Sequence, residues 1–444
     1  MEKTVNVIGA GLAGCEAAYQ LAKRGIKVKL YEMKPKKFSP AHSDENLAEI
    51  VCSNSFKSNL KSNACGLLKE ELRMLDSLLI RIADETRVPA GQALAVDREE
   101  FSRRVTEEIK KNNNIEIVRE EVTKINLEKQ TIIATGPLTS DNLFEEIRRL
   151  INADSLYFYD AAAPIIDKES IDMNIAFLGD RYGKGDSSYI NLPMNEEEYK
   201  NFYSELVNAE IVELHDFEKK EIFEGCMPVE VMAKRGIDTL RYGPLKPVGF
   251  TDPRTGQRPY AIVQLRQDNS AGNIYNMVGF QTNLKFGEQK RVFSMIPGLA
   301  NADFVKYGVM HRNTYINSTK LLDETFRMKD NKNIYFAGQI TGVEGYVESI
   351  ASGLVAGINM ANQINGKKAL VFSEFNMIGA LSKYISTPNE KFQPMNSNFG
   401  ILPPLETRIK DKMERYEKMS DIAIEKMKEL FIGKIKLIMI FEVN

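Results

Sequence analysis

Two cysteines, Cys52 and Cys226, lie in sequence contexts that suit thiol chemistry. Cys52 follows a short apolar run and precedes polar turn residues, and Cys226 is flanked by Gly225 and Pro228. Loops of this kind carry a large share of catalytic groups, and a thiolate is a strong nucleophile. We therefore take both residues as catalytic candidates, although the pattern alone is equally compatible with a structural role.

A glycine-rich turn near the start of the chain predicts a nucleotide site. The β-branched run TVNVI leads into GAGLAG, a helical pattern follows, and a second strand ends at Glu32. In this arrangement the glycines permit a tight turn, a close approach to a pyrophosphate and helix–strand packing. The helix N-terminus attracts the anion, and Glu32 is placed to accept hydrogen bonds from the adenosine ribose.

Two later strands favour FAD over NAD as the bound nucleotide. The runs TIIATGP (131–137) and NIYFAGQ (333–339) each end in glycine, and a glycine-rich helix follows the second. Two strands that lie far apart in the sequence and both end in glycine predict a single sheet, which the chain leaves for an insertion and later rejoins. Two unrelated strand–turn–helix units remain an alternative. The predicted cofactor-binding residues are Gly9, Ala10, Gly11, Leu12, Ala13, Gly14, Glu32, Gly136, Gly338, Gln339 and Gly345.

The region between these strands reverses its charge midway. Residues 196–224 hold ten acids and three Lys/Arg, whereas residues 234–291 hold ten Lys/Arg and four acids, interleaved with aromatic residues. That mixture suits phosphate contacts and base stacking, although a solvated β-rich surface explains it as well. The candidate substrate-binding residues are His311, Arg312, Arg254, Arg266, Lys285, Lys290 and Arg291.

Composition excludes several classes of protein. The 444 residues carry 59 Lys+Arg and 61 Asp+Glu, a net charge of −2, so a uniformly basic nucleic-acid coat is excluded. Four cysteines are too few for a disulfide framework, and three histidines form no ligand pair at metal spacing, so we expect no metal site. Neither a signal peptide nor a membrane-spanning run is recognisable, and we expect a cytoplasmic protein.

Eight long segments, spread over nearly the whole chain, are far more specific than a glycine motif. The segments are GAGLAGCEAA, EIVCSNSFKSN, PAGQALAVDREEF, FEGCMPVEVMA, TDPRTGQRPYAIVQLRQDN, NMVGFQTNLKFGEQKRVF, YGVMHRNTYINS and AGQITGVEGYVESIASG. Together they resemble one family, the folate- and FAD-dependent tRNA uracil-5-methyltransferases. A sister group that modifies the tRNA wobble uridine shares the glycine turn but not these middle segments.

The resemblance implies a function and its cosubstrates. It implies 5-methyluridine formation at uridine-54 in the T-loop of tRNA, with methylenetetrahydrofolate as carbon donor, FAD as redox carrier and NAD(P)H as electron source. It also places the family's proposed catalytic cysteines on Cys52 and Cys226. His311 and Arg312 could then contact folate, RNA phosphate or flavin, or could form a structural pair. We expect tRNA as the partner, with no obligate protein partner evident.

We expect an α/β protein with an FAD-binding Rossmann-like domain of the glutathione-reductase type and a large α+β insertion domain. The predicted parts are residues 1–185, an insertion over 186–304, and residues 305–444, with an amphipathic helix over 406–432. Two other functions stay open. One is a flavin-dependent thiol oxidoreductase that pairs Cys52 with Cys226, against which the absence of CxxC argues. The other is flavin-dependent uridine modification of another site or of ribosomal RNA, or RNA binding without catalysis.

Overall fold

The computed structural model describes residues 4–151, 156–161, 163–183, 188–212, 227–308, 310–390 and 392–441, and only the backbone of 156–161, 310–313 and 431–441. Cys226 lies outside the described residues. The first elements are β1 (Thr4–Ile8), α1 (Leu12–Ala22), β2 (Lys27–Glu32), β3 (Ser55–Ser58), α2 (Ala64–Met74), α3 (Leu78–Glu85), β4 (Arg87–Val88), β5 (Ala93–Val96), α4 (Arg98–Lys111), β6 (Ile115–Arg119), β7 (Thr131–Ile133) and α5 (Asp141–Ile151). The middle elements are β8 (Leu156–Ala161), β9 (Ile165–Asp167), β10 (Phe177–Leu178), β11 (Tyr189–Met194), α6 (Glu196–Asn208), α7 (Val229–Ala233), α8 (Thr239–Tyr242), β12 (Ala261–Gln267), β13 (Ile274–Met277), α9 (Phe286–Phe293) and β14 (Phe304–Lys306). The last elements are β15 (Met310–Tyr315), α10 (Ser318–Leu321), β16 (Ile334–Phe336), α11 (Tyr346–Ile364), α12 (Met377–Ser386) and α13 (Lys412–Phe441).

A parallel sheet forms the centre of the nucleotide-binding part. Its strand order is β16-β7-β1-β2-β6, and Val5 and Val7 of β1 are completely buried, as expected for a parallel strand covered on both faces. β16 pairs with β7 with Ile334 opposite Thr131, which confirms that the chain returns to one sheet after a long insertion. The predicted α/β class, a Rossmann-like sheet with an α+β insertion, is confirmed as well.

Helices α1 and α11 pack backbone to backbone. A Cβ atom added to Gly353 would lie 2.2 Å from the Ala13 carbonyl oxygen, and one added to Gly357 would lie 2.7 Å from that of Ala17. The contacts advance by four residues in both helices, so the two helices run in the same direction. Their N-termini consequently lie at the same end of the sheet, where the strands β1, β7 and β16 also end.

The insertion is built on a second, antiparallel sheet with the strand order β10-β11-β12-β13-β9-β14. β9 and β10 belong to it, so the first strand of this sheet along the chain begins at Ile165. The insertion bounds of 186 and 304 stay a prediction. β8 and β15 pair with each other where the chain leaves and re-enters the nucleotide-binding part.

The C-terminal helix α13 begins at Lys412, later than the predicted 406. The Asp411 carboxylate accepts a hydrogen bond from the Glu414 N–H (2.8 Å), which caps the helix at this point. Ser420 donates to the Lys61 carbonyl oxygen (2.6 Å), and Ala423 is buried, so this part of the helix packs against its own chain. Among the helices that the structure describes, none is both long and apolar enough to span a bilayer.

Candidate functional site

The glycine turn between β1 and α1 has the shape that a nucleotide phosphate needs. Gly9 has a φ of +96°, and a Cβ atom there would lie 2.6 Å from the Ala134 carbonyl oxygen. A Cβ atom at Gly14 would lie 1.8 Å from the Gly9 carbonyl oxygen, whereas one at Gly11 would meet no protein atom within 4 Å. Gly9 and Gly14 thus serve packing, and Gly11 leaves open space in front of the unpaired N–H groups that begin α1.

Glu32 ends β2 beside this turn and is almost fully buried. Its carboxylate accepts hydrogen bonds from the backbone N–H groups of Ala10 (3.3 Å) and Lys34 (3.0 Å). These donors fix the carboxylate at the wall of a cavity that Gly9, Ala10 and Gly11 also line. A buried carboxylate in this position suits the hydroxyl groups of a ribose.

A second and larger cavity, of about 390 Å³, adjoins the first. Gly11, His42, Glu49, Thr135 and Leu138 line both cavities, so the two form one trough from Glu32 to Cys52. The larger cavity is also lined by further predicted cofactor residues, namely Leu12, Ala13, Gly136, Gly338, Gln339 and Gly345. Of the predicted cofactor residues, Gly14 alone lines neither cavity, because it packs on Gly9.

Cys52 is half-buried and lines the larger cavity. The loop that carries it is held by Tyr346, whose hydroxyl oxygen accepts hydrogen bonds from the Cys52 N–H (2.9 Å) and the Ser53 N–H (3.2 Å). Burial raises the pKa of Tyr346, and the neighbouring Cys52 adds to this rise, so this phenol stays protonated. The tyrosine begins α11, which connects the cysteine loop to the last strand of the parallel sheet.

Comparison with known proteins assigns the chain to a family. Residues 4–368 match the family model described as glucose inhibited division protein A. The chain belongs to the GidA family. Aquifex aeolicus GidA, solved in its form II crystal, has the same fold, with a TM-score of 0.69 at 17% identity over 99% of this chain and 76% of that chain.

Two relatives of this GidA-family chain are similar over their full length. One, from Fusobacterium nucleatum, is 60% identical over 433 residues, which cover 98% of this chain and 100% of the relative. The other, from Acetivibrio thermocellus, is 62% identical over 426 residues, which cover 96% and 98%. Both are named methylenetetrahydrofolate--tRNA-(uracil-5-)-methyltransferase TrmFO, which confirms the resemblance seen in the sequence motifs.

Arg266 brings the insertion into the trough of this GidA-family protein. It lies on β12, is buried, and lines the larger cavity. Its guanidinium donates to Asn54 Oδ1 (3.0 Å) and Ser53 Oγ (2.6 Å), the two residues that follow Cys52. Burial lowers the pKa of Arg266. Among the candidate substrate residues with described side chains, Arg266 is the one that lines the trough.

Arg98 and Lys306 are two cationic residues near the Cys52 loop, and neither was among the predicted site residues. Arg98 Nη1 donates to the carbonyl oxygens of Ile50 and Val51, each at 3.2 Å, immediately before the cysteine. Burial lowers the pKa of Lys306 and the Arg98 charge adds to this effect, whereas Glu49, Asp268 and Cys52 oppose it. The influence of Cys52 on this pKa indicates that Lys306 lies within electrostatic reach of the thiol.

The other candidate substrate residues lie elsewhere. Arg254 pairs with Asp252 (2.8 Å), Lys285 pairs with Glu210 (2.7 Å), Arg291 pairs with Glu205 and Glu288, and Lys290 is exposed. The side chains of His311 and Arg312 lie outside the described part of the chain. Of the aromatic residues interleaved with these cations, Phe250, Tyr275 and Phe280 are buried, so their rings are not available for base stacking.

Proposed function

We propose that this protein is an FAD-dependent tRNA uracil-5-methyltransferase that takes its carbon from methylenetetrahydrofolate. The observation that carries the proposal is the continuous trough that connects the glycine turn and Glu32 to Cys52. The names of two relatives at 60% and 62% identity support the substrate assignment. The finer parts of the proposal are the T-loop uridine as target, NAD(P)H as electron source and the cytoplasm as location.

The chain offers a place for each part of FAD. Glu32 would accept hydrogen bonds from the ribose, and the N–H groups that begin α1 at Gly11 would hold the pyrophosphate. The larger cavity, between Cys52 and the start of α11 at Gly345, would hold the flavin ring. Bound FAD would supply the reducing equivalents that bring a one-carbon unit from the methylene to the methyl level.

Methylation at uracil C5 needs two thiol or acid–base functions. Uracil C5 is a weak nucleophile, and a thiolate that adds to C6 turns the ring into an enolate whose C5 attacks the one-carbon electrophile. A base must then remove the C5 proton, with the tetrahydrofolate amine as the leaving group, which gives an exocyclic methylene on C5. Addition of a hydride, whose electrons bound FAD would supply, turns the methylene into the methyl group, and the thiolate leaves C6 as the C5–C6 double bond forms again. We assign the C6 addition to Cys226 and the proton transfer to Cys52.

Features around both cysteines support this assignment. Arg98 Nη1 donates to the carbonyl oxygens of Ile50 and Val51, so a cation is held beside the loop that carries Cys52, as is common at catalytic cysteines. Cys226 precedes Val229 by three residues, and the Val229 N–H donates to the Gln281 carbonyl oxygen (2.7 Å). Gln281 lines the larger cavity, so the described segment that follows Cys226 in the sequence is anchored at that cavity through Val229.

The test is a methyl-transfer assay with the FAD-loaded protein. Protein, unmodified tRNA, methylenetetrahydrofolate labelled in its methylene carbon, and NADPH are incubated together, and the nucleosides are then separated. We expect labelled 5-methyluridine with the wild type and none with Cys226→Ala. Well-folded, FAD-loaded protein that produces no labelled methyluridine would contradict the proposed function, whereas equal activity in the variant would remove the role of Cys226 alone.

The competing thiol oxidoreductase makes a different prediction. If Cys52 and Cys226 formed a redox pair, oxidation would remove two titratable thiols and reduction would restore them. We expect the number of titratable thiols to be the same after mild oxidation and after reduction.

A further inference from the structure

Glu348 has one carboxylate oxygen without a donor at the wall of the larger cavity. The residue lies in the first turn of α11, and its side chain is completely buried. Oε1 accepts hydrogen bonds from the Ser397 N–H (2.8 Å) and the Ser397 hydroxyl (2.6 Å), and Lys57 Nζ lies 4.0 Å away from it. Oε2 receives no hydrogen bond from any residue that the structure describes.

The unpaired oxygen lies beside Gly345, which also lines the cavity. A Cβ atom added to Gly345 would lie 2.3 Å from Glu348 Oε2, and the glycine has a φ of +116°. The glycine thus leaves room for the carboxylate at the cavity wall. A buried carboxylate oxygen without a donor is costly, so a donor from a bound molecule is the expected partner.

The surroundings of Oε2 define the chemistry of that donor. The first N–H groups of a helix have no acceptor within the helix, so those of α11 are available beside the carboxylate. A ligand that fits donates one hydrogen bond to Oε2 and offers acceptor oxygens to the helix N–H groups. A cyclic imide, C(=O)–NH–C(=O), has this pattern.

We propose that Glu348 Oε2 accepts a hydrogen bond from the N–H of a cyclic imide, with the N–H groups at the start of α11 facing its carbonyl oxygens. Two molecules of the proposed function carry this group, the pyrimidine part of the flavin and the uracil of the target nucleotide. The flavin source needs FAD binding alone, and the uracil source rests on the proposed function.

The test blocks the imide N–H with a methyl group in each source. Apoprotein is titrated with FAD and with 3-methyl-FAD, and FAD-loaded protein is titrated with a T-arm RNA hairpin that contains uridine or 3-methyluridine at the target position. A hydrogen bond to a charged acceptor corresponds to roughly a 10- to 100-fold difference in dissociation constant. We expect wild-type protein to prefer one unmethylated ligand by that factor, and the arm with the preference identifies the source.

Two variants separate recognition by Glu348 from steric exclusion. Glu348→Ala should bind the methylated and unmethylated ligands equally. Glu71→Gln should keep the preference, because the buried Glu71 carboxylate is satisfied by the N–H groups of Met377 and Ile378, and Glu71 does not line the cavity. A wild type that discriminates in neither arm, or a Glu348→Ala variant that keeps the preference, would overturn the proposal. The flavin arm needs neither RNA nor folate, so its outcome is independent of methyl transfer.

Discussion

Arg98 connects the loop that carries Cys52 to the insertion, because it forms an ion pair with Asp268. Arg98 Nε donates to both carboxylate oxygens of Asp268, at 3.0 and 2.9 Å, and Nη1 donates to the carbonyl oxygens of Ile50 and Val51. Asp268 is 1% exposed, so its charge depends on this partner. We predict that Arg98→Met releases the loop.

The size of the effect follows from these contacts. Removal of one member of a buried ion pair costs about 3–5 kcal/mol, because the other charge stays buried without a partner. The two hydrogen bonds to the loop carbonyl oxygens contribute about 1 kcal/mol each. In the double variant Arg98→Met/Asp268→Leu no buried charge is left, so we expect only the loss of about 2 kcal/mol from the carbonyl contacts.

Hydrogen–deuterium exchange at the amides of Cys52 and Ser53 measures this opening locally. Both amides donate to the Tyr346 hydroxyl, and loss of about 3 kcal/mol of local stability, the lower bound for Arg98→Met, speeds their exchange at least about 100-fold. We expect that acceleration in Arg98→Met and a smaller one in the double variant.

Arg103→Met on the same helix is the matched control. Arg103 pairs with Glu100 and Glu107 at the exposed surface, where such pairs contribute at most about 1 kcal/mol. Exchange at Cys52 and Ser53 should therefore stay at the wild-type rate. The reasoning is refuted if Arg98→Met also exchanges at the wild-type rate, or if the double variant is opened further than the single one.

Three further predictions concern the nucleotide turn and the core. Gly14→Ala should lower the melting temperature and abolish FAD retention, because its Cβ would lie 1.8 Å from the Gly9 carbonyl oxygen, whereas Gly11→Ala should melt like the wild type and bind FAD more weakly. Glu32→Ala should raise the FAD dissociation constant about 10- to 100-fold in a fluorescence titration, and an unchanged value would exclude its ribose contact. Burial raises the pKa of Glu71 from 4.5 to about 8. Between these two pH values the folded state keeps a proton that the unfolded state has released. The stability that this group contributes is therefore complete below pH 4.5 and is lost as the pH rises through 8. Melting temperatures between pH 5 and 8 should therefore fall more steeply for the wild type than for Glu71→Gln, and parallel slopes would contradict this shift.

The local motifs of the site could be predicted from the sequence. Gly9, Gly11 and Gly14 lie within six residues of one another, and their spacing specifies one turn between a strand and a helix. Glu32 follows from the same βαβ unit. The pairing of β7 with β16 was predictable too, because each strand is followed by a glycine at the same end of the sheet.

The contacts that complete the site could not be predicted from one sequence. Tyr346 binds the Cys52 loop from 294 positions away, and Arg98 is 170 positions from Asp268. Such pairs leave no periodic or local signal, although Arg98 and Tyr346 both lie within segments that resemble the family. The pairing of β9 with β13 is likewise not visible in the charge pattern of the sequence.

The claim that one trough brings bound FAD to Cys52 is tested most directly by alkylation of the cysteine. Apoprotein and FAD-saturated protein are treated with iodoacetamide, and each cysteine is followed by peptide mass spectrometry. Cys15 and Cys65 are buried, and burial raises the pKa of both thiols, so they serve as unreactive internal controls. We predict that FAD slows alkylation of Cys52 at least about 10-fold, whereas stoichiometric FAD binding with an unchanged rate at Cys52 would contradict the claim.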